Sequence, residues 1–242
     1  MTTHLDPRTT ASAAPTTPDP AVRAAGALGR LAPLGGAALV AAPLLMLGAS
    51  ATSPPQADDS PAAYIASLAA DPALSAVSAG LFHYGWLLLT FGALAALTLV
   101  RGRRGRGIAT VGALMAAVGS LQISGLLLGD WYLAALGNEV ATADAVRVFE
   151  VAMSDAWGVT WLMSARLLPT IGFPVLFVGL ARAGVLPWWL VPGSLGTMVV
   201  PFVVPGPLGL VLAALCWAPT AVTGYRILRR ARADVRAAEA LA

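Results

Sequence analysis

The 242-residue chain has no lysine, a single cysteine and two histidines, His4 and His83. Each scarcity excludes a chemistry. One cysteine cannot close an internal disulfide or build a thiolate metal cluster. Cys216 lies inside the last apolar run, where it needs no role beyond that of a small apolar side chain. Two histidines, one of them near the N-terminus, cannot make a paired-histidine haem or a three-histidine zinc site. No cofactor is therefore expected. Charged residues form only 11% of the chain, against about a quarter in a soluble domain. That is too little charge to cover a soluble fold of this size. Also missing are a Gly-x-x-x-x-Gly-Lys-Ser/Thr loop, a Gly-x-Ser-x-Gly elbow and a His-Glu-x-x-His pair. No apolar run carries the paired aspartates of an intramembrane protease or the dense carboxylates of a proton-coupled pump.

What the chain does have is oil. Hydrophobic residues make up 57% of it, and the mean hydropathy is +0.75. All fifteen basic residues are arginine. With abundant alanine, glycine and proline, this usage points to a GC-rich, bacterial coding sequence. The expected fold class is an all-α polytopic membrane bundle of about six transmembrane helices. The partner implied is the lipid bilayer, with a second copy or another membrane protein as a further candidate. A net charge of +3 gives no nucleic-acid signal.

Residues 1–30 are rich in Thr, Ala, Pro and Asp without an apolar period, and read as a disordered cytoplasmic tail. The bundle is expected over 31–228, with a cytoplasmic C-terminal tail over 229–242. Its first span runs from Leu31 to Ser50, about the 20 residues needed to cross hydrocarbon. An alternative takes residues 1–51 as a cleaved signal sequence ending near Ala49-Ser50-Ala51. Further spans are expected at about 77–100, 108–128, 157–180, 185–200 and 208–227. Two outer loops separate them, 51–75 with a short surface helix over Pro61–Ala70, and 129–156 with another over Thr142–Met153. Pro169 and Pro174 fall inside the fourth span, where neighbouring helices can satisfy the freed carbonyls.

Arginine placement orients the chain. Thirteen of the fifteen fall in the two tails, the run Arg101–Arg106 and the turn at Arg182, all on one side. The opposite loops hold only Arg147 against Asp58, Asp59, Asp71, Asp130, Glu139, Asp144, Glu150 and Asp155. This predicts a cell-membrane protein with both termini cytoplasmic and both acidic loops outside. A weak parallel repeat joins Thr90-Phe91-Gly92 with Thr170-Ile171-Gly172, each followed by an arginine turn.

Ionisable groups inside a membrane are costly, so each is a candidate. Arg166 is the most informative: counted from Trp157 it lies near the mid-plane and needs a partner, and counted back from Arg182 it lies just below the outer edge and snorkels to headgroups. Asp130 on the neighbouring span is the expected partner, with Gln122 adding a hydrogen bond and His83 and Asp155 nearby. These five residues are the candidate polar pocket, in the outer leaflet and suited to an anionic or polar ligand. The bland alternative is that they lock two helices together. His83 with Tyr84 and Trp86 also fits an interfacial belt. Gly112, Ala116 and Gly119 line one side of the third span, and Gly125 and Gly129 have GxxxG spacing. Both patterns permit close helix approach.

From Asp71 to Leu195 the layout resembles a group of six-helix actinobacterial membrane proteins of the domain-of-unknown-function type. The likeness rests on the acidic outer segment, the Arg101–Arg106 turn, Gly129-Asp130-Trp131 and the turn Arg182-Ala183-Gly184-Val185-Leu186-Pro187-Trp188. It implies a fold and transfers no active residues. Three functions fit these features: a non-enzymatic partner or regulatory subunit, a small-solute permease using Arg166, or an interfacial lipid enzyme using Asp130, Asp155 and His83.

Overall fold

The computed structural model describes residues 20–204 and 206–240. All regular structure among them is helical. In chain order the helices are α1 (Pro20–Thr52), α2 (Pro61–Ala70), α3 (Pro72–Ala95), α4 (Arg106–Leu126), α5 (Leu128–Glu139), α6 (Thr142–Ser154), α7 (Ala156–Arg182), α8 (Gly193–Val203), α9 (Gly206–Cys216) and α10 (Ala218–Glu239). Single 3-10 turns cover Ala96–Leu99 and Trp188–Leu190. Of the tail expected over 1–30, residues 1–19 lie outside the described residues, and the backbone of 20–30 is helical.

Among the described residues, five helices are long and apolar enough to cross a membrane: Leu31–Thr52, Pro72–Leu99, Arg106–Glu139, Ala156–Arg182 and Gly206–Ala237. The span expected over 185–200 is the exception. Pro187 and Pro192 lack the amide hydrogens that a continuous helix would use there. The chain makes a 3-10 turn and then the 11-residue α8, about 16 Å of helix against a hydrocarbon core of roughly 30 Å. The last span is interrupted as well, between α9 and α10. The two breaks adjoin, since a Cβ added at Gly193 would meet the Pro219 ring at 3.3 Å and the Cys216 carbonyl at 3.4 Å.

The tightest seam joins α4 and α7. Gly112 sits so close to α7 that a Cβ would come within 2.1 Å of the Leu176 nitrogen. From the other side, a Cβ added at Gly172 would come within 2.3 Å of the Ala116 nitrogen, and one at Gly179 within 2.3 Å of the Ala109 nitrogen. Gly119 meets the Pro169 ring in the same way. The small-residue face of the third span is therefore spent on α7 within the chain, where hydrocarbon gives no hydrophobic drive and close backbone packing takes its place. Gly129 does not share this role, having open space beside it, while a Cβ at Gly125 would meet only the Trp161 ring of α7, at 3.3 Å. On the far side of α4, α1 and α3 pack antiparallel, with Leu39, Trp86, Leu89, Leu176, Phe177, Leu180 and Ile227 forming a continuous buried core. Gly92 and Gly172, the paired glycines of the weak repeat, both mark close approaches, but to different helices: Gly92 meets Leu39 of α1, Gly172 meets α4.

Charge sorts along the bundle axis. Arg226 donates to the Val185 carbonyl, and Arg230 donates to the Thr98 carbonyl at 2.5 Å. These contacts gather α10, the α7–α8 turn and the end of α3 at the arginine-rich end. At the other end, α2, α5 and α6 form a cap around Ile65, Leu68, Leu133, Ala134 and Ala145. The two surface helices read from the sequence appear as α2 and α6. The rest of the 129–156 loop does not stay irregular: α5 fills most of it, because Leu133 and Ala134 find an apolar surface on α2.

Candidate functional site

The cavity of about 420 Å³ beneath the cap is bounded by the ends of α1, α3 and α4 and by α2. Three hydroxyl pairs line it, each at helical i, i+3 or equivalent spacing: Ser50 with Ser53, Tyr64 with Ser67, and Ser75 with Ser78. Residues three apart share a helix face, so each pair turns inward as a unit. Asp130 completes the polar wall, and Leu68, Ala79, Phe82 and Leu127 supply the apolar part.

Asp130 stands in the first turn of α5, just past the break at Leu127. Its Oδ1 accepts the Tyr64 hydroxyl at 2.5 Å. Burial pushes the Tyr64 phenol well above its ordinary range, and the Asp130 carboxylate adds to the rise, while the charge of Arg166 pulls modestly the other way. The phenol is thus a permanent donor at physiological pH. The serine hydroxyls look to the backbone. Ser50 donates to the Met46 carbonyl at 2.9 Å, Ser67 to Tyr64 at 2.8 Å and Ser75 to Leu68 at 2.9 Å. Ser53 and Ser78 both reach the Ala49 carbonyl at 3.0 Å and lie 2.9 Å from one another. This ties the end of α1 to the start of α3.

The five residues singled out from the sequence occupy different surroundings. Asp130 pairs with Tyr64, and among the described residues no carboxylate lies within ion-pair distance of Arg166. Arg166 is exposed on α7, about 15 Å along the helix from Ala156 and about 24 Å from Arg182. That places it toward the cap end, where a guanidinium can reach the interface. Gln122 points its Oε1 into the protein without a partner, and its backbone carbonyl accepts the Trp161 indole N–H at 3.2 Å. His83 Nδ1 lies 2.8 Å from the Ser124 hydroxyl oxygen and 3.1 Å from its carbonyl, and the ring meets Tyr84 edge-on. Asp155 caps α7, accepting the amides of Trp157 and Gly158 at 2.9 and 3.1 Å. Its carboxylate sits where the helix dipole favours negative charge. Only Asp130 borders the cavity.

Sequence reasoning missed Tyr64 and the serines. The signal was present in the three i, i+3 hydroxyl pairs near the ends of apolar segments, each unremarkable until the fold turns them toward one another. Among the described residues no group of three or more His, Cys, Asp or Glu is arranged to hold a metal ion. Compared with known protein families, curated proteins and solved structures, the chain matches none. The site must be read from its own chemistry.

Proposed function

We propose that this chain is a non-enzymatic subunit of the cell membrane, a closed helical platform that carries its cap outside and both termini in the cytoplasm and acts with another membrane protein or a second copy. The observation that carries this reading is the closed seam between α4 and α7, where four glycines bring the helices into contact from Gly119 to Gly179. The cavity beneath the cap ends on Phe82 and Leu127 and does not reach Arg166. Asp130, Asp155 and His83 belong to three separate hydrogen-bond sets, which weighs against the lipid-enzyme alternative. The sorting of arginines to one end supports the orientation.

A permease is the second reading, favoured by the adjoining breaks at Gly193 and Cys216–Pro219, since discontinuous helices often frame transport sites. One experiment separates the two. Purified protein in liposomes is expected to leave efflux of entrapped glycerol and methylamine at the rate of empty liposomes. In native membranes, a photo-crosslinker at Val211, which is exposed on α9, should give a discrete adduct. Protein-dependent efflux, or crosslinking to lipid alone, would overturn the subunit reading.

A further inference from the structure

The cavity beneath the cap has a chemical polarity that its residue types alone do not reveal. A hydroxyl brings one proton and two lone pairs. All six hydroxyls on the wall have a protein acceptor within reach: Ser50, Ser67 and Ser75 on helix carbonyls, Ser53 and Ser78 on the Ala49 carbonyl or each other, and Tyr64 on Asp130. What the wall still offers is lone pairs. Gln56 donates to the Asp58 carbonyl at 2.5 Å, which leaves its Oε1 as a further acceptor. Asp130 Oδ2 accepts from no described residue, and no arginine, lysine or histidine lines the space. A surface rich in acceptors with one carboxylate is complementary to a group that carries several N–H donors and a positive charge.

From this geometry we infer that the cavity binds a small organic ammonium ion, its N–H donors directed at Asp130 and the serine oxygens and its carbon part against Leu68, Ala79, Phe82 and Leu127. The size fits, since about 420 Å³ falls among small-molecule sites and far exceeds what a bare metal ion fills. The inference reverses the ligand sign expected from Arg166. That guanidinium lies outside the lining. This goes beyond the subunit reading and does not depend on it. A chain that neither transports nor meets a partner would still show the binding, and a chain that does both could lack it.

The test uses the full-length protein in detergent with n-butylammonium, butyrate, 1-butanol and sodium ion as probes, read by calorimetry and thermal unfolding. Butylammonium is expected to bind and raise the melting temperature, with the other three at least tenfold weaker. Asp130→Asn should weaken butylammonium at least tenfold, and Glu150→Gln on the exposed face of α6 should leave it unchanged. Asp130 also holds Tyr64, so Leu127→Trp provides a second variant that fills the cavity without touching the carboxylate, and it too should abolish binding. Equal binding of butyrate, butanol or sodium, binding that survives either Asp130→Asn or Leu127→Trp, or no binding by any probe would overturn the inference.

Discussion

At the scale of single residues, the polar groups divide into those that build the fold and those left over. Asp155 builds: capping the first amides of α7 accounts for its carboxylate completely. Asp155→Ala should cost about 1 kcal/mol of stability, measured by thermal unfolding in detergent, with the butylammonium response of the cavity intact; a loss of that response would return Asp155 to the site. Tyr64 both builds and poises. A hydrogen bond to a charged acceptor contributes about 1.5–3 kcal/mol, so Tyr64→Phe should loosen α2 by that order, visible as faster hydrogen exchange over Pro61–Ala70. The phenol also sets a pH dependence. Its ionisation is raised in the fold relative to the unfolded chain, so its contribution is complete below the ordinary phenol value of about 10 and falls as pH climbs above that. Wild type should lose stability above pH 10 more steeply than Tyr64→Phe; parallel curves would refute the assignment. Arg166, singled out as the arginine inside an apolar span, is exposed on α7 toward the cap end. That Asp130 meets Tyr64 and not Arg166 could not be read, because the phases of α2 and α5 decide where its carboxylate points.

Helices follow different rules in the membrane and in the cap. Between α4 and α7 the distances leave no room for a side chain. Gly112→Leu or Gly172→Leu should therefore abolish the folded, monodisperse protein, where ordinary overpacking costs about 1–3 kcal/mol. Gly129→Ala, facing open space, should be neutral, although Gly125 and Gly129 have the more familiar spacing. Size-exclusion profiles of the three variants check this. Failure of Gly129→Ala alone would mean that the GxxxG pair forms an interface after all. The face formed by Gly112, Ala116 and Gly119 was legible from its period; its partner was not, because a period says which side is small and nothing about what lies against it. In the cap, α2 and α6 match the short surface helices read over Pro61–Ala70 and Thr142–Met153. The sequence of α5 carries Gly129, Gly137 and Asn138, weak helix formers, and its helix is held by packing of Leu133 and Ala134 on Ile65 and Leu68.

At the scale of the whole molecule, the two ends differ in sign, and that difference predicts what solution reagents can reach. With Cys216 replaced by serine, single cysteines at Asp144 in α6 and at Arg104 in the α3–α4 turn should respond oppositely. In intact cells an impermeant maleimide is expected to label the first and spare the second until the membrane is opened. The reverse pattern would invert the proposed orientation while leaving the fold unchanged. The sequence by itself determined the class: long apolar runs need hydrogen-bonded helices in hydrocarbon, and arginines gathered in short turns split the bundle into two unlike ends. Those are properties of composition and period, which survive without knowing any contact. Tertiary structure decided the rest. Proline and glycine at 187, 192 and 193 made the fifth passage a short helix where hydropathy alone suggested a span. The rotation of three helix ends about their axes turned ordinary serines and one tyrosine into a common wall facing Asp130. Helix phase and kink angle arise from packing between distant segments, so the cavity and its acceptor-rich chemistry exist only once the chain has closed on itself.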